Sequence, residues 1–544
     1  MGEALLEPQE LARLPLGKAG FAEIRNQDRV YVDKTALIGR LAVADGPYFL
    51  SRPRRFGKSL LLSTFESLFA SGLEMFRGLA LEKSWQEEKT YPVVRLNFAS
   101  YGLDDLDIFK KDLLDDLKNK FANLVAASPY DDLGHLKTPG SYFQELLFKS
   151  NDRSLVLLID EYDAPITHTL DDAQFNRKII TTLSSFFNVL KDYTHKCRFI
   201  FITGITRLAH VSLFSVFNNL EDLTLTREAS LLLGITDAEL HRYFDPYVKN
   251  AASVLDMRVE DVYSRLKTRY NGYCFCIEQH AETLYNPWSL LSFFKRPEEG
   301  FDNYWYQSSG GTPALLLHYL QQNPQAIDMM ALRRETRSVD KELLTSKSEP
   351  LQIPLDLLLW QSGYYTLRYA ASNLADLVFP NEEVEYSLAK LMEDLHHLGL
   401  SRATERGLDS LPALIDAQDL DAIEQLFNAI LKECLSFETS VFEHEIDIRD
   451  VIYMKIPEKG LTKLRENHNV HGRSDLELKT VKTHLVIEFK RSYPRRSVDH
   501  ALQEGIKQMN SRDYGEILPG RTLIRVVMVC SQKQHKIVLT QQVK

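Results

Sequence analysis

Four apolar stretches stand out before residue 210: Tyr48 to Ser51, Val93 to Phe98, Ser154 to Ile159 and Phe199 to Thr203. Runs without polar alternation predict strands buried on both faces, as in a parallel sheet. After a polar loop, the first run gives way to Leu60–Phe69, which reads as a helix. From Leu233 to Leu400 the helical periodicity is patchy, and Tyr270, Tyr273, Trp288, Trp305, Trp360 and Tyr364 read as packing cores. Gly310-Gly311-Thr312-Pro313 reads as a loop. Further on, Phe442 to Ile452 predicts a helix; Asp475 opens an apolar strand with Leu476 and Leu478, and Leu485 to Phe489 forms another. Between Asp499 and Arg512, Leu502, Ile506 and Met509 share one helical face, and Gln508 lies on the same helix. The pattern predicts an α/β protein in three parts. Residues 1–232 form a domain around a parallel sheet, 233–400 a mainly helical middle, and 401–544 a second α/β domain. A connector is expected near Ala370 to Asn381 or Arg402 to Leu411.

The loop after the first strand is Arg52-Pro53-Arg54-Arg55-Phe56-Gly57-Lys58-Ser59. Strand, loop, Gly-Lys-Ser and helix is the context in which backbone N–H groups cradle phosphates. Arg54, Arg55, Phe56 and Gly57 would form the cradle, Lys58 would reach the β- and γ-phosphates, and Ser59 would ligate Mg²⁺. Arg52 stands where the usual pattern has its first glycine. The third apolar run ends in Asp160-Glu161. There Asp160 would hold the metal's water shell and Glu161 would polarise the attacking water. After Thr203, a polar residue at the strand end is placed to sense the γ-phosphate. Arg207 is either a charge stabiliser or a structural arginine. ATP with Mg²⁺ is the expected ligand.

Asp475 and the Glu488-Phe489-Lys490 triplet suggest a second chemistry. Residues two apart on a strand share a face, so Glu488 and Lys490 project together toward Asp475. Two carboxylates hold Mg²⁺ through oxygen, and the lysine positions or activates water and steadies the charge on phosphorus. The competing reading is three charges scattered on an exposed hairpin. Against it, Glu488 lies within an apolar run, where an unpaired charge is costly.

Charge agrees with this division. The net charge is −10, yet Val451 to Lys544 carries 18 Lys+Arg against 9 Asp+Glu. A basic terminal region on an acidic body suits attraction to nucleic-acid phosphate, DNA by preference. Five scattered cysteines argue against a disulfide framework, and Cys274-Phe275-Cys276 lacks a second ligand pair for zinc. No apolar run is long enough to span a bilayer and no signal sequence is seen, so a cytoplasmic protein without a membrane partner is expected. Assembly with like copies is left open.

At these residues the chain resembles the AAA-ATPase-like family fused to a PD-(D/E)xK nuclease-like domain. The resemblance begins with Leu14-Pro15-Leu16-Gly17, Phe21 and Tyr31-Val32-Asp33-Lys34-Thr35, and takes in the phosphate loop, where Arg52 is normal for the family. It continues through Asp160 to Ile166, Tyr270-Asn-Gly-Tyr273, Tyr285-Asn-Pro-Trp288 and Gln361-Ser-Gly-Tyr364, then Gly472 to Asp475 and Glu488 to Lys490. It implies a P-loop ATPase of the ASCE type, a helical middle and a restriction-endonuclease-like C-terminal domain, whose core usually carries a further acid on the helix before its first strand, here Glu445 or its competitor Glu466. An ATP-dependent, Mg²⁺-dependent nuclease of defence or mobile-element biology is the leading expectation. The rival is a nucleotide-switched regulator that grips nucleic acid without cutting; a third possibility is an effector aimed at a host.

Overall fold

The computed structural model describes residues 11–543 apart from 45, 126–134, 209–219, 308–313, 324–336, 347–351, 397–400, 435–444, 458–459, 470–471, 513, 516 and 518–519. The expected loop at 310–313 and the first residues of the helix expected from Phe442 lie outside the described residues. The chain divides into two compact units, one of Met1–Glu298, Asn303–Ile327 and Glu335–Leu388, the other of Glu299–Asp302, Asp328–Arg334 and Ala389–Lys544.

In the first unit the four apolar runs are β1 (Pro47–Ser51), β2 (Val93–Asn97), β3 (Leu155–Asp160) and β4 (Cys197–Gly204). They pair in parallel, with the short β5 (Glu221–Asp222) at the edge, in the order β2-β3-β4-β1-β5. β1, β3 and β4 are buried throughout, which explains their unbroken apolar runs. β2, at the other edge, alternates, burying Val94 and Leu96 and leaving Arg95 half-buried. Because β4 lies between β1 and β3, the phosphate loop and the Asp160-Glu161 pair sit on non-adjacent strands. This is the ASCE arrangement.

Helix α1 (Lys58–Ser71) returns from the loop across the sheet. Leu61, Phe65, Leu68 and Phe69 recur at three- and four-residue spacing and are buried. Phe65 and Phe69 meet Phe199 of β4 with ring centroids 4.8 and 5.0 Å away. Burial of each such side chain contributes about 1.5–3 kcal/mol, which anchors the loop between β1 and α1. Helix α2 (Asp237–Val254) begins the middle region with a capping box formed by Thr236 and Glu239. The middle also carries an antiparallel sheet of β6 (Arg337–Asp340), β7 (Thr366–Ala371) and β8 (Leu374–Val378), ordered β6-β8-β7. One expected connector, Ala370 to Asn381, is therefore largely hairpin. The other, Arg402 to Leu411, lies inside helix α3 (Arg402–Asp416).

The second unit continues with α4 (Leu420–Cys434) and α5 (Glu445–Lys455). Then come β9 (Thr462–Asn469), β10 (Gly472–Lys479), β11 (Thr483–Ser492), α6 (Val498–Arg512), β12 (Thr522–Ser531) and β13 (Lys536–Val543). The sheet order is β13-β12-β11-β10-β9, and only β11 and β12 are parallel. A parallel pair needs a crossover, which α6 supplies. Ala501, Leu502 and Met509 of α6 pack on Val486, Val527 and Val529 of the sheet. Asn428 of α4 brackets Ile537 of β13, accepting from its N–H at 2.7 Å and donating to its carbonyl at 3.0 Å. This mixed sheet has the restriction-endonuclease-like arrangement. Among the described residues no helix is long and apolar enough to cross a membrane.

Candidate functional site

β1 delivers the chain into the phosphate loop at Arg52, which is 1% exposed. Its guanidinium donates to the carbonyls of Ser51 and Thr224 at 2.8 Å and of Ala229 at 3.0 Å, and it lies 4.2 Å over the Phe275 ring. Burial pushes its pKa down to about 9, with Asp222 opposing. The arginine in place of the first glycine thus ties the loop down. Phe56 is buried edge-on to Tyr273 and Phe275, so its side chain belongs to the core and only its backbone serves the loop. Gly57 adopts φ 94°, which glycine accepts without strain, and a Cβ added there would meet nothing within 4 Å. Arg55 is left-handed at φ 68°.

Arg54, Arg55, Gly57, Lys58, Ser59 and Glu161 line one side of a pocket of about 400 Å³, with Pro15, Leu16 and Trp288 among the residues that complete it. Lys58 Nζ donates to the carbonyls of Arg52 and Pro53 at 2.9 and 3.0 Å. Burial lowers its pKa against the pull of Asp160 and Glu161. At the end of β3, Asp160 accepts from Thr203 Oγ1 at 2.7 Å and faces Arg95 Nη2 at 3.8 Å. Arg95 also donates to the Ser59 carbonyl at 2.9 Å, bringing Asp160 and the start of α1 together through one guanidinium. Glu161 is left-handed at φ 50° and half-buried, and burial raises its pKa against Lys58. Strained backbone at two non-glycine positions beside one pocket is the kind of feature that clusters at functional sites.

Two neighbours brace the end of β4. Asp163 accepts from Thr206 N at 2.7 Å and Thr206 Oγ1 at 2.6 Å, while Tyr162 Oη donates to the Thr206 carbonyl at 2.8 Å. Arg207 is buried and ion-paired with Asp222, so it serves the scaffold. Sequence reasoning passed over Arg95 and Asp163. For Arg95 the signal existed: a lone charge within an otherwise apolar strand.

In the second unit β10 and β11 pair antiparallel with Leu476 opposite Ile487, which sets Asp475 opposite Glu488. Asp475 lies within β10 and does not open it; likewise Glu488 and Lys490 lie inside β11, which runs on to Ser492. The strands extend past the apolar runs because backbone pairing continues through polar residues. Asp475 Oδ2 accepts from Phe489 N at 2.8 Å, and Lys490 Nζ donates to Glu488 Oε1 at 2.6 Å. Burial pushes the Glu488 pKa up to about 7, with Asp475 adding to the rise and Lys490 opposing it. Asp475 is raised by burial. Burial alone would lower Lys490, but Glu488 outweighs it and raises the pKa.

Of the two upstream acids, Glu445 stands at the start of α5 and reaches the site: Oε1 accepts from Arg491 N at 2.7 Å and Arg496 Nη1 at 2.8 Å, and Oε2 lies 3.8 Å from Lys490 Nζ. Glu466 lies on β9, with its side chain outside the description. Gln508 donates to Tyr514 Oη at 2.9 Å. Glu488 Oε2 is buried with no hydrogen-bond partner among the described residues. An orphaned carboxylate oxygen beside a second, half-buried carboxylate fits a divalent cation. Even so, among the described residues no three His, Cys, Asp or Glu side chains stand grouped to hold a metal. Two residues on from Asp475 along β10, buried Glu477 accepts from Ser474 Oγ at 2.8 Å and meets His484 Nε2 at 2.9 Å.

Comparison with known proteins agrees with both halves. A family described as Predicted AAA-ATPase matches residues 15–214, and the PD-(D/E)XK nuclease superfamily matches residues 443–539. A protein of Azotobacter chroococcum mcd 1, described as "Uncharacterized protein in vnfD 5'region", is 31% identical over 483 residues, which are 85% of this chain and 86% of that one.

Proposed function

The chain belongs to the predicted AAA-ATPases that carry a C-terminal PD-(D/E)XK nuclease-superfamily domain, and from that premise we propose an ATP-dependent nuclease that cleaves DNA. Its first unit would bind ATP on the loop of Arg54 to Ser59. Backbone N–H groups at the start of α1 would take the phosphates, and Lys58 would exchange its two loop carbonyls for β- and γ-oxygens. Ser59 and Asp160 would hold Mg²⁺ and Glu161 would orient the attacking water.

In the second unit Asp475 and Glu488 would hold a divalent cation, which when bound polarises the scissile phosphate and makes water a better nucleophile. Lys490, kept protonated by Glu488, would orient that water and offset charge as the leaving oxygen departs. The basic residues after β11 would draw in the phosphate backbone. The observation that carries this reading is the Glu488 oxygen, buried and without a hydrogen-bond partner among the described residues, at the position opposite Asp475 in one strand pair, with Lys490 at 2.6 Å from the same carboxylate. Cytoplasmic defence or mobile-element biology is the setting we favour.

The test is to incubate the full chain with Mg²⁺ or EDTA and labelled single- and double-stranded DNA and RNA. Mg²⁺-dependent cleavage of DNA, lost in Lys490→Ala, is expected. Cleavage at the wild-type rate by that variant would overturn the assignment of Lys490. One observation favours the rival, a switch protein that binds without cutting: no three-ligand cluster stands ready among the described residues. ATP hydrolysis with no cleavage of any substrate would decide for it.

A further inference from the structure

The acid best placed to complete the site is engaged elsewhere. Glu445 Oε1 takes Arg496 Nη1 at 2.8 Å and Arg491 N at 2.7 Å. Its other oxygen stands 3.8 Å from Lys490 Nζ, which is itself 2.6 Å from Glu488. One lysine thus separates Glu445 from the Asp475–Glu488 pair. Arg496 is held at both ends: Nη1 also donates to the Arg491 carbonyl at 3.1 Å, and Nη2 donates to Glu504 Oε2 of α6 at 2.6 Å. The arginine side chain is 14% exposed, Glu445 32% and Glu504 52%. Glu504 is therefore a partner at the solvent edge on which the guanidinium can pivot outward without being stranded. A guanidinium's fork binds phosphate as readily as carboxylate.

We propose that Arg496 is a phosphate-operated latch on Glu445, an inference that rests on the nuclease reading above. At rest Arg496 keeps the third carboxylate off the metal position. A nucleic-acid phosphate that pairs with Arg496 releases Glu445 to join Asp475 and Glu488. The cation then binds tightly only when substrate is present, which accounts for a site with matching residues but no ready three-ligand group among the described residues. Arg496 acts through Glu445 and is a positioning residue.

The test measures cation affinity, not cleavage. Ca²⁺ is titrated calorimetrically into the full chain, alone and with a 12-base-pair DNA duplex, beside the same duplex with methylphosphonate linkages. Without duplex, Arg496→Gln should bind Ca²⁺ about tenfold more tightly than wild type, a coupling of ordinary size. The phosphodiester duplex should tighten wild type by a similar factor and leave Arg496→Gln nearly unchanged, and the uncharged duplex should do neither. Placing Glu445→Gln beside Arg496→Gln should remove the gain. If the gain persists without Glu445, loss of a nearby positive charge explains it and the latch is wrong. Equal affinities in wild type and Arg496→Gln also overturn it. Arg496→Lys, whose single ammonium cannot bridge Glu445 and Glu504 as a fork, serves if the glutamine variant misfolds: it should fall between the two, and wild-type affinity would refute the latch. Asp475→Asn and Glu488→Gln separate the two claims. If they bind Ca²⁺ as wild type does, the metal-site reading fails and the latch with it; if they lose binding while Arg496→Gln matches wild type, only the latch fails.

Discussion

Arg55 and Trp288 show how a pair of side chains can report on the proposed nucleotide site. The guanidinium lies 4.2 Å over the indole, whose Nε1 donates to the Tyr304 carbonyl at 3.2 Å. Both residues line the pocket beside Lys58. A triphosphate on the loop competes with the indole for Arg55, because a charge-assisted bond to phosphate outweighs a half-exposed cation–π contact of about 0.5–1 kcal/mol. ATP should therefore change tryptophan emission, and Trp288→Phe should abolish the change while the other tryptophans remain. An undiminished signal in that variant would refute the proposed rearrangement. Lys58→Ala should remove nucleotide binding while leaving the second unit's cation affinity intact; unchanged ATP affinity would refute the phosphate-loop role.

Helix α6 packs closely on β11 and β12, the strand of Lys490 and its parallel neighbour. At Gly505 an added Cβ would fall 2.6 Å from Val527 Cγ1 and 3.1 Å from Lys490 Cγ. Gly505→Ala should force the helix off β11 and β12, costing about 1–3 kcal/mol as overpacking does, and should lower cleavage by displacing Lys490. Calorimetric unfolding and cleavage rates check this, and an unchanged melting temperature would contradict it. The buried Glu477 makes a pH prediction. Burial would raise its pKa, but the hydrogen bond with His484 and the charge of Lys479 hold it at about 2, below its ordinary 4.5. A depressed carboxylate contributes stability that is full above 4.5 and is lost as pH falls from there toward 2. Glu477→Gln should flatten that part of the acid-unfolding curve, and an identical curve would show the pair to be inert. Elements such as these mark where sequence reasoning reached its limit. The buried parallel strands were legible because their apolar runs are unbroken, and α6 because Leu502, Ile506 and Met509 keep helical spacing. The β7–β8 hairpin was not, since its turn at Asn373 lies in a stretch that reads as connector. The Arg496–Glu445–Glu504 bridge joins residues 51 and 8 positions apart, a closure no local pattern announces. Arg52 was read as a missing glycine because its partners, Thr224 and Ala229, lie some 170 positions away.

At the scale of the whole molecule the chain joins an AAA-ATPase-like domain to a PD-(D/E)XK nuclease-superfamily domain. The family motifs are largely scaffolding: Asn286 of Tyr285-Asn-Pro-Trp288 caps a helix by accepting from Trp288 N and Ser289 N, and Asp33 accepts from Thr35 N and Oγ1. They identify the fold more firmly than the reaction. A basic terminal region on an acidic body predicts nucleic-acid affinity that falls steeply with salt. We propose that one chain hydrolyses ATP and cuts DNA at separate sites, with the first controlling the second. This is tested most directly by following Mg²⁺-dependent cleavage of labelled DNA, with and without ATP, by wild type, Lys58→Ala and Lys490→Ala. ATP should alter cleavage by wild type, Lys58→Ala should cut without responding to ATP, and Lys490→Ala should hydrolyse ATP but not cut. Cleavage by Lys490→Ala at the wild-type rate, or no cleavage by wild type under any condition, would contradict the proposal.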